Sequence, residues 1–169
     1  MRVSWLAVIA ACSGKPAPSA DSNVTFVAFP ASFQPFRTWT SFHSDGPADD
    51  GTFPPPVLGG RMQYINMLPP HGAKRFPTGT IIVEARDTGA ILAAVKRGGN
   101  FNTGGALDWE WFGLAEDATT GAVGVQWRGI TPPAGGYGGL PMEGCNDCHT
   151  SCGENNDYVC SPKLQLAGF

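Results

Sequence analysis

Five consecutive residues near the C-terminus, Cys145-Asn146-Asp147-Cys148-His149, constrain this chain more than any other feature of its sequence. Two thiols with two residues between them, followed at once by an imidazole, are typical of a c-type haem attachment site. Each thiol can add across one haem vinyl group to form a thioether, and the adjoining histidine can ligate the iron. The motif therefore predicts one covalent haem c, attached through Cys145 and Cys148, with His149 as the proximal iron ligand.

The cysteine spacing is also compatible with two other structures. A Cys-x-x-Cys pair can form a disulfide or supply half of a zinc site. Zinc requires about four ligands at paired spacing, and Cys152 and Cys160 can supply two of them. The histidine directly after Cys148 favours haem over both alternatives.

The N-terminus has the features of an export signal. Arg2 precedes an apolar run over residues 3–11, and small residues stand directly before Cys12. Ile9-Ala10-Ala11-Cys12 resembles a bacterial lipobox, in which the cysteine is lipid-modified and starts the mature protein. The run is too short to span a bilayer. We therefore expect a lipoprotein-type signal peptide over residues 1–12, the alternative being an unprocessed apolar strand.

Export and lipidation together predict where the protein acts. Residues 13–23 are mostly Gly, Lys, Pro, Ala and Ser, a composition typical of a flexible tether without a core. The predicted location is the periplasm or the outer surface, with the chain held on the membrane through Cys12. Covalent haem attachment takes place outside the cytoplasm, in agreement with this location.

The cysteine count is consistent with the same assignment. The chain has five cysteines, and lipidation of Cys12 and haem attachment leave Cys152 and Cys160. An even remainder in an exported protein predicts a disulfide. It closes a short loop behind the haem histidine and stabilises the fold by about 2.5 kcal/mol on the loop-entropy model. The alternative is two free buried thiols.

Length and composition predict a single small domain. Residues 24–169 are enough for one domain with its own core. The formal net charge is −3 and only 15% of residues are charged, so nothing indicates a nucleic-acid surface. The 23 glycines and 15 prolines disfavour long helices.

The strand pattern predicts a mostly antiparallel sheet. Six segments have the β-branched and aromatic content of strands: residues 24–29, 61–66, 80–86, 90–96, 107–115 and 122–130. Asp87-Thr88-Gly89 joins the third and fourth segments as a hairpin, and residues 117–121 join the fifth and sixth. Residues 43–56 are predicted to be a surface loop, and 132–141 a Gly/Pro loop before a short helix at the haem motif. The predicted fold class is α+β, an antiparallel sheet with a C-terminal haem-attachment segment.

These residues resemble the cytochrome P-460 family, which includes the cytochromes c′-β, over about residues 61–161. Arg61 with Tyr64-Ile65 matches an Arg-x-x-Tyr-Ile strand, and Phe76-Pro77-Thr78-Gly79-Thr80 matches a Phe-Pro-x-Gly-Thr turn. Residues 108–112 lie where the family has an aromatic strand. The haem motif, followed by Asp157-Tyr158-Val159, matches the family's haem segment in order and spacing.

The resemblance implies a small α+β cytochrome, usually a homodimer, with a five-coordinate haem, His149 proximal and an open distal face. Family members bind nitric oxide or carbon monoxide, or oxidise hydroxylamine. Arg61 corresponds to a distal-pocket arginine that can stabilise an anionic ligand, the alternative being a solvated cation at a strand edge. Glu110, among aromatic residues, is a candidate pocket carboxylate for proton transfer, the alternative being a solvent-facing strand position.

One position departs from the family's pattern. The hydroxylamine-oxidising members have a lysine, eight residues after the phenylalanine of the turn, that is cross-linked to the haem. Counting from Phe76, that position is Glu84, and a carboxylate cannot form the amine cross-link. Nothing in the sequence indicates that Lys74 or Lys96 substitutes for it. The departure favours the gas-binding c′-β type over a hydroxylamine oxidase.

Three functional hypotheses follow. The first is a haem protein that binds nitric oxide or related small ligands at an open site. The second is an oxidoreductase acting on hydroxylamine, nitric oxide or peroxide through Arg61 and Glu110. The third is an electron-transfer cytochrome with a partner protein, which requires a strong sixth iron ligand. The candidates for that ligand are His43, Met62, Met67 and His71.

Overall fold

The computed structural model describes residues 24–44, 60–133 and 144–169. The predicted signal peptide, the lipidation of Cys12 and the tether lie outside these residues. The described chain forms one six-stranded antiparallel sheet in which every strand pairs with its neighbour in sequence. The strands are β1 Thr40–Ser44, β2 Arg61–Ile65, β3 Ile81–Arg86, β4 Ile91–Lys96, β5 Trp109–Glu116 and β6 Val123–Gly129.

Short turns join β3 to β4 and β5 to β6. The β3–β4 hairpin closes through a Gly89 N–H bond to the Arg86 carbonyl (2.9 Å), with Gly89 at φ +88°. Between β5 and β6, Asp117 Oδ1 accepts the backbone N–H groups of Thr119 and Thr120. Such tight connections allow only antiparallel neighbours, and the three strand pairs with longer connections are antiparallel as well. The predicted mostly antiparallel α+β fold is therefore confirmed for the sheet.

Alternate side chains along the strands form two separate cores on the two faces of the sheet. One face is covered by the short helix α1, Pro30–Phe33, and the turn after it, through Phe33 and Phe36. We call it the α1 face. The opposite face is covered by residues 144–169, and we call it the C-terminal face. Its core consists mainly of Ile65, Ile82, Ala106, Trp109, Trp111, Tyr158, Val159, Leu164 and Leu166.

Helical structure is confined to short segments. The helix α2, Cys145–Ser151, contains the whole Cys-x-x-Cys-His motif, as the sequence predicts. Single 3₁₀ turns occur at Phe36–Thr38, Glu154–Asn156 and Leu166–Gly168.

Two expectations about the N-terminal half are wrong. Residues 24–29 do not form a strand, because only Thr25 bridges to Gly98 before Pro30 starts α1. His43 and Ser44 belong to β1 and not to a surface loop, while residues 45–56 lie outside the described chain. β1 is an edge strand that is largely exposed, so its sequence lacks the alternating apolar residues of a buried strand.

Candidate haem site

The motif residues lie on α2 at helical spacing. Positions i, i+3 and i+4 of a helix share one side, which brings Cys145, Cys148 and His149 together. The carbonyl of Gly144 starts the helix by accepting the N–H groups of Asp147 (3.1 Å) and Cys148 (3.3 Å). Cys145 is partly buried against the C-terminal face and Cys148 is exposed. Burial raises the pKa of the Cys145 thiol to about 11.

The motif is fastened to the β4–β5 loop by the side chain of Asn146. Its Oδ1 accepts a hydrogen bond from Asn102 Nδ2 (2.6 Å) and one from the backbone N–H of Ala106 (3.0 Å). Gly105 makes this approach possible, since a Cβ at that position would overlap the Asn146 amide. These two hydrogen bonds involve neither the thiols nor the imidazole of the motif, so Asn146 positions the helix.

His149 is oriented from two sides. Its Nδ1 lies 2.8 Å from the carbonyl oxygen of Tyr158, and its ring packs 4.1 Å from the ring centroid of Trp111. A carbonyl oxygen can only accept, so Nδ1 carries the proton and Nε2 keeps the lone pair that a metal requires. Burial lowers the pKa of His149, whereas the bond to Tyr158 and the charge of Glu84 raise it. A neutral imidazole with Nε2 available is the form that ligates iron.

Cys152 and Cys160 lie at disulfide distance, with a Cα–Cα separation of 5.4 Å, as the cysteine count predicts. The pair links the end of α2 to Cys160, two residues after Tyr158. The disulfide therefore closes the loop between them, which contains the Tyr158 carbonyl that contacts His149. Two sulfurs joined in a disulfide do not ligate zinc, so this pairing disfavours the zinc alternative. Within the described ranges, no three His, Cys, Asp or Glu side chains are grouped as metal ligands.

The segment behind His149 is held by a buried ion pair that sequence reasoning missed. Asp157 Oδ1 lies 2.7 Å from Lys96 Nζ, and both side chains are at most 3% exposed. Asp157 Oδ2 accepts the N–H of Phe76 (2.9 Å), and the Asp157 carbonyl accepts Trp109 Nε1–H (2.7 Å). Burial lowers the pKa of Lys96 and raises that of Asp157, while each partner's charge opposes the shift of the other.

A charged cluster lies on the C-terminal face beyond His149. Glu84 Oε1 contacts Arg86 Nε at 2.7 Å, and Glu84 Oε2 lies 3.4 Å from Arg61 Nε. The side chain of Arg61 is 3% exposed. Glu84 acts electrostatically on His149, and Arg86 on Cys145. The structure therefore places Arg61 and the Glu84 position on the same face of the sheet as the haem motif.

Glu110 lies on the other face. Trp109 and Trp111 point into the core of the C-terminal face, so Glu110 between them points to the α1 face. There it accepts hydrogen bonds from Arg128 Nε (2.8 Å) and Arg97 Nη1 (3.1 Å). The structure does not bring Glu110 together with His149, and within the α1 face Glu110 pairs with two arginines.

One unpartnered donor on the C-terminal face is compatible with a bound haem. Trp111 Nε1, next to His149, is one of two buried polar side-chain atoms without a hydrogen-bond partner in the described chain, the other being Asp108 Oδ1. A buried indole N–H normally has an acceptor. A donor left open beside the predicted iron ligand is suited to a bound group that has carboxylate acceptors, as haem does.

No family model, curated protein or solved structure matches this chain. Among the described residues, no helix is long and apolar enough to cross a membrane. The haem assignment therefore depends on the motif and on the contacts around His149.

Proposed function

We propose that this chain is an exported mono-haem cytochrome of the P-460 type, most similar to the cytochromes c′-β, that binds nitric oxide or a related small ligand. The observation that supports it best is the hydrogen bond between His149 Nδ1 and the Tyr158 carbonyl (2.8 Å). It holds the imidazole that directly follows the two thiols with Nε2 available for iron. When bound, the haem would supply an iron that can take a small diatomic ligand.

The positions of the candidate sixth ligands support an open iron site. Met62 packs in the core of the α1 face, and His43 is its register partner on β1, so both lie on the far side of the sheet from His149. Met67 and His71 are exposed. Met142 lies outside the described residues. The sheet therefore separates His43 and Met62 from His149, which disfavours a six-coordinate, purely electron-transferring cytochrome with either of them as the sixth ligand.

Arg61 is the proposed ligand-stabilising residue. A buried guanidinium on the same face as His149 can interact with a negatively charged or strongly polarised ligand in a medium of low dielectric. Arg61→Ala is expected to weaken the binding of such ligands by about 1–3 kcal/mol. Arg37→Ala is the matched control, because Arg37 pairs with Glu116 at the protein surface and makes no contact with the C-terminal face.

A hydroxylamine oxidase is the weaker alternative. Glu84 occupies the position of the family's cross-linked lysine, and it lies on the face that carries the motif. Lys96 is buried in its ion pair with Asp157, and Lys74 is exposed, so neither substitutes. The cross-link tunes the cofactor in the oxidising members, so we expect slow or no hydroxylamine turnover here.

Optical spectroscopy on the haem-loaded protein tests this function. The expected ferric and ferrous spectra are those of an ordinary high-spin, five-coordinate c-type haem, and nitric oxide added to the ferrous protein should bind at one site per chain. A low-spin, six-coordinate resting spectrum would contradict the open site and favour electron transfer. Rapid hydroxylamine oxidation would show that the lysine is not required.

Export through a lipid-modified Cys12 is a separate proposal. The disulfide-spaced pair Cys152–Cys160 supports an oxidising compartment. A single acyl chain anchors a protein only weakly, so stable attachment requires the several chains of a bacterial lipoprotein. Cys12→Ser is expected to release the protein from the membrane fraction or leave it unprocessed. Equal membrane recovery of both forms would rule out lipidation at Cys12.

We also propose that the protein forms a homodimer, as the resemblance implies. Sedimentation of the purified protein at micromolar concentration should give twice the chain mass. A monomer over the whole accessible concentration range would contradict it.

A further inference from the structure

Two consecutive residues behind His149 adopt an unfavourable backbone conformation. Asp157 has φ +51° and Tyr158 has φ +64°, both in the left-handed region. Non-glycine residues in this region cost about 1–2 kcal/mol each. Such a conformation persists only where the surrounding structure imposes it, and it is concentrated at functional sites. The turn therefore requires both a restraint that holds it and a reason for its shape.

The shape of the turn presents two successive carbonyl groups to two different partners. The Asp157 carbonyl accepts the indole N–H of Trp109 at 2.7 Å, and the Tyr158 carbonyl accepts the Nδ1–H of His149 at 2.8 Å. The first bond ties the turn to β5, and the second orients the imidazole. A regular extended or helical backbone would not place adjacent carbonyls on these two donors.

The restraint is the side chain of Asp157. It bonds Lys96 Nζ on β4 through Oδ1 (2.7 Å) and the Phe76 N–H through Oδ2 (2.9 Å). Lys96 in turn donates to the Leu107 carbonyl (3.1 Å). The carboxylate thus links the turn to the segment that precedes β3 and to the last residue of β4. Lys96 and Asp157 are 61 residues apart in sequence.

We propose that the buried Lys96–Asp157 ion pair is the positioning device for His149, holding the Asp157-Tyr158 turn so that the Tyr158 carbonyl fixes the proton on Nδ1. The inference deepens the proposed haem function and rests on it for the identity of the bound metal. Lys96 and Asp157 are positioning residues, because neither touches the imidazole. Outer-shell hydrogen bonds of this kind orient a ligating histidine and raise its basicity.

The placement of the pair argues for positioning over stability alone. A buried ion pair is weak evidence for stability, since apolar residues of similar volume are often as stabilising or more so. What an apolar pair cannot do is accept the Phe76 N–H and fix one conformation of the turn. Trp111 packs against the His149 ring with the two ring centroids 4.1 Å apart, whereas the Tyr158 carbonyl is the hydrogen-bond partner of Nδ1, so a loose turn would free the imidazole nitrogen but not this ring contact.

The test compares four variants of the full chain. Asp157→Asn and Lys96→Met each remove one charge of the pair. The double variant Lys96→Met/Asp157→Asn leaves no uncompensated charge, and asparagine tolerates the left-handed backbone at this position. Tyr158→Phe is the matched control, since it removes only the hydroxyl bond to Glu154 (3.0 Å) in the same turn and keeps the carbonyl that His149 uses.

Two spectroscopic signatures of His149 give the readout in the haem-loaded protein. The first is the hydrogen-exchange rate of the Nδ1 proton, measured by NMR on the diamagnetic ferrous carbon monoxide complex. The second is the iron–histidine stretching frequency of the ferrous protein in resonance Raman spectra. In both single variants we expect exchange to be roughly five- to tenfold faster, the equivalent of one ordinary hydrogen bond, and the stretch to shift to lower frequency.

The double variant separates positioning from stability. We expect it to regain folding stability relative to the single variants but to keep the faster exchange and the shifted stretch, while Tyr158→Phe matches the wild type. Wild-type values in the single variants, or a return to wild-type values in the double variant, would overturn the proposal.

Failure of the haem function can be told apart from failure of the positioning role. If the wild-type chain carries no haem, the proposed function fails, and the ring-nitrogen chemical shifts of His149 in the full chain still decide the positioning role. One tautomer with Nδ1 protonated in the wild type, and a mixture of tautomers in Lys96→Met, would support it. The same single tautomer in both would overturn it.

Discussion

The side-chain amide of Asn146 is expected to fix the haem motif on the domain. Asn146→Ala removes the acceptor of two hydrogen bonds, from Asn102 Nδ2 (2.6 Å) and from the N–H of Ala106 (3.0 Å). Asn102 Nδ2 keeps a second acceptor in the Ala106 carbonyl (3.0 Å). The Ala106 N–H loses its side-chain acceptor in a residue with 0% exposure.

The cost follows from these contacts. An unsatisfied buried N–H costs about 1–3 kcal/mol, and the lost bond to Asn102 adds about 0.5–1.5 kcal/mol. We therefore expect the free energy of unfolding to fall by about 2–4 kcal/mol. Asn146→Asp keeps an oxygen in the same place, so it should retain most of that stability. Because α2 is held to the β4–β5 loop through this residue, haem incorporation should fall along with stability in Asn146→Ala.

Urea unfolding, monitored by tryptophan fluorescence, measures the free energy of unfolding. The haem content per chain measures haem incorporation. The matched control is Asp147→Ala, one residue along the same helix and exposed, where only a helix-dipole effect of about 0.3–1 kcal/mol is at stake. Equal losses in Asn146→Ala and Asp147→Ala would refute the anchoring role. So would full stability in Asn146→Ala.

Three further predictions concern the same face of the sheet. Gly105→Ala should destabilise the protein and lower its haem content, because the added Cβ overlaps the side chain that anchors the motif; unchanged haem content would contradict this. Lys96→Met should cost about 3–5 kcal/mol at neutral pH. Burial raises the pKa of Asp157, so the folded variant holds a proton on Asp157 that the unfolded chain releases. The loss of folding stability should therefore be smallest below about pH 4 and should grow as the pH rises. A loss of stability that does not change with pH in urea titrations would refute this. In chain produced without haem, iodoacetamide should modify Cys148 much faster than Cys145, whose pKa of about 11 leaves roughly a thousandth of it as thiolate at pH 8; equal rates by mass spectrometry would contradict the burial of Cys145.

The sequence predicted the part of the fold that depends on local pattern. The strands β2 to β6 are rich in β-branched and aromatic residues and are separated by glycine or aspartate turns, and all five were expected within two residues of their bounds. β1 was missed because an exposed edge strand needs no apolar alternation. Residues 24–29 have the composition of a strand but pair only through the isolated bridge of Thr25 to Gly98 before Pro30 starts α1.

The site was predictable where its residues are adjacent in sequence and was not where they meet through strand register. The motif on α2 follows from local spacing, and the pairing of Cys152 with Cys160 follows from the cysteine count. The contact between Lys96 and Asp157 joins residues 61 positions apart, and only the order of the strands brings them together. Alternation along β5 already puts Glu110 on the opposite face from Trp109 and Trp111. The sequence did not show which of the two faces carries the motif, and only the fold does.

Covalent haem content is the most direct test of the central claim. The full chain is produced in a host with a cytochrome c maturation system, and haem is measured by the pyridine haemochrome spectrum before and after extraction with acidified acetone. We predict one haem per chain that resists extraction in the wild type, and none in Cys145→Ala/Cys148→Ala. A folded wild-type protein whose haem is absent or fully extractable, or a double variant with unchanged haem content, would contradict the claim that Cys145-Asn146-Asp147-Cys148-His149 is a haem attachment site.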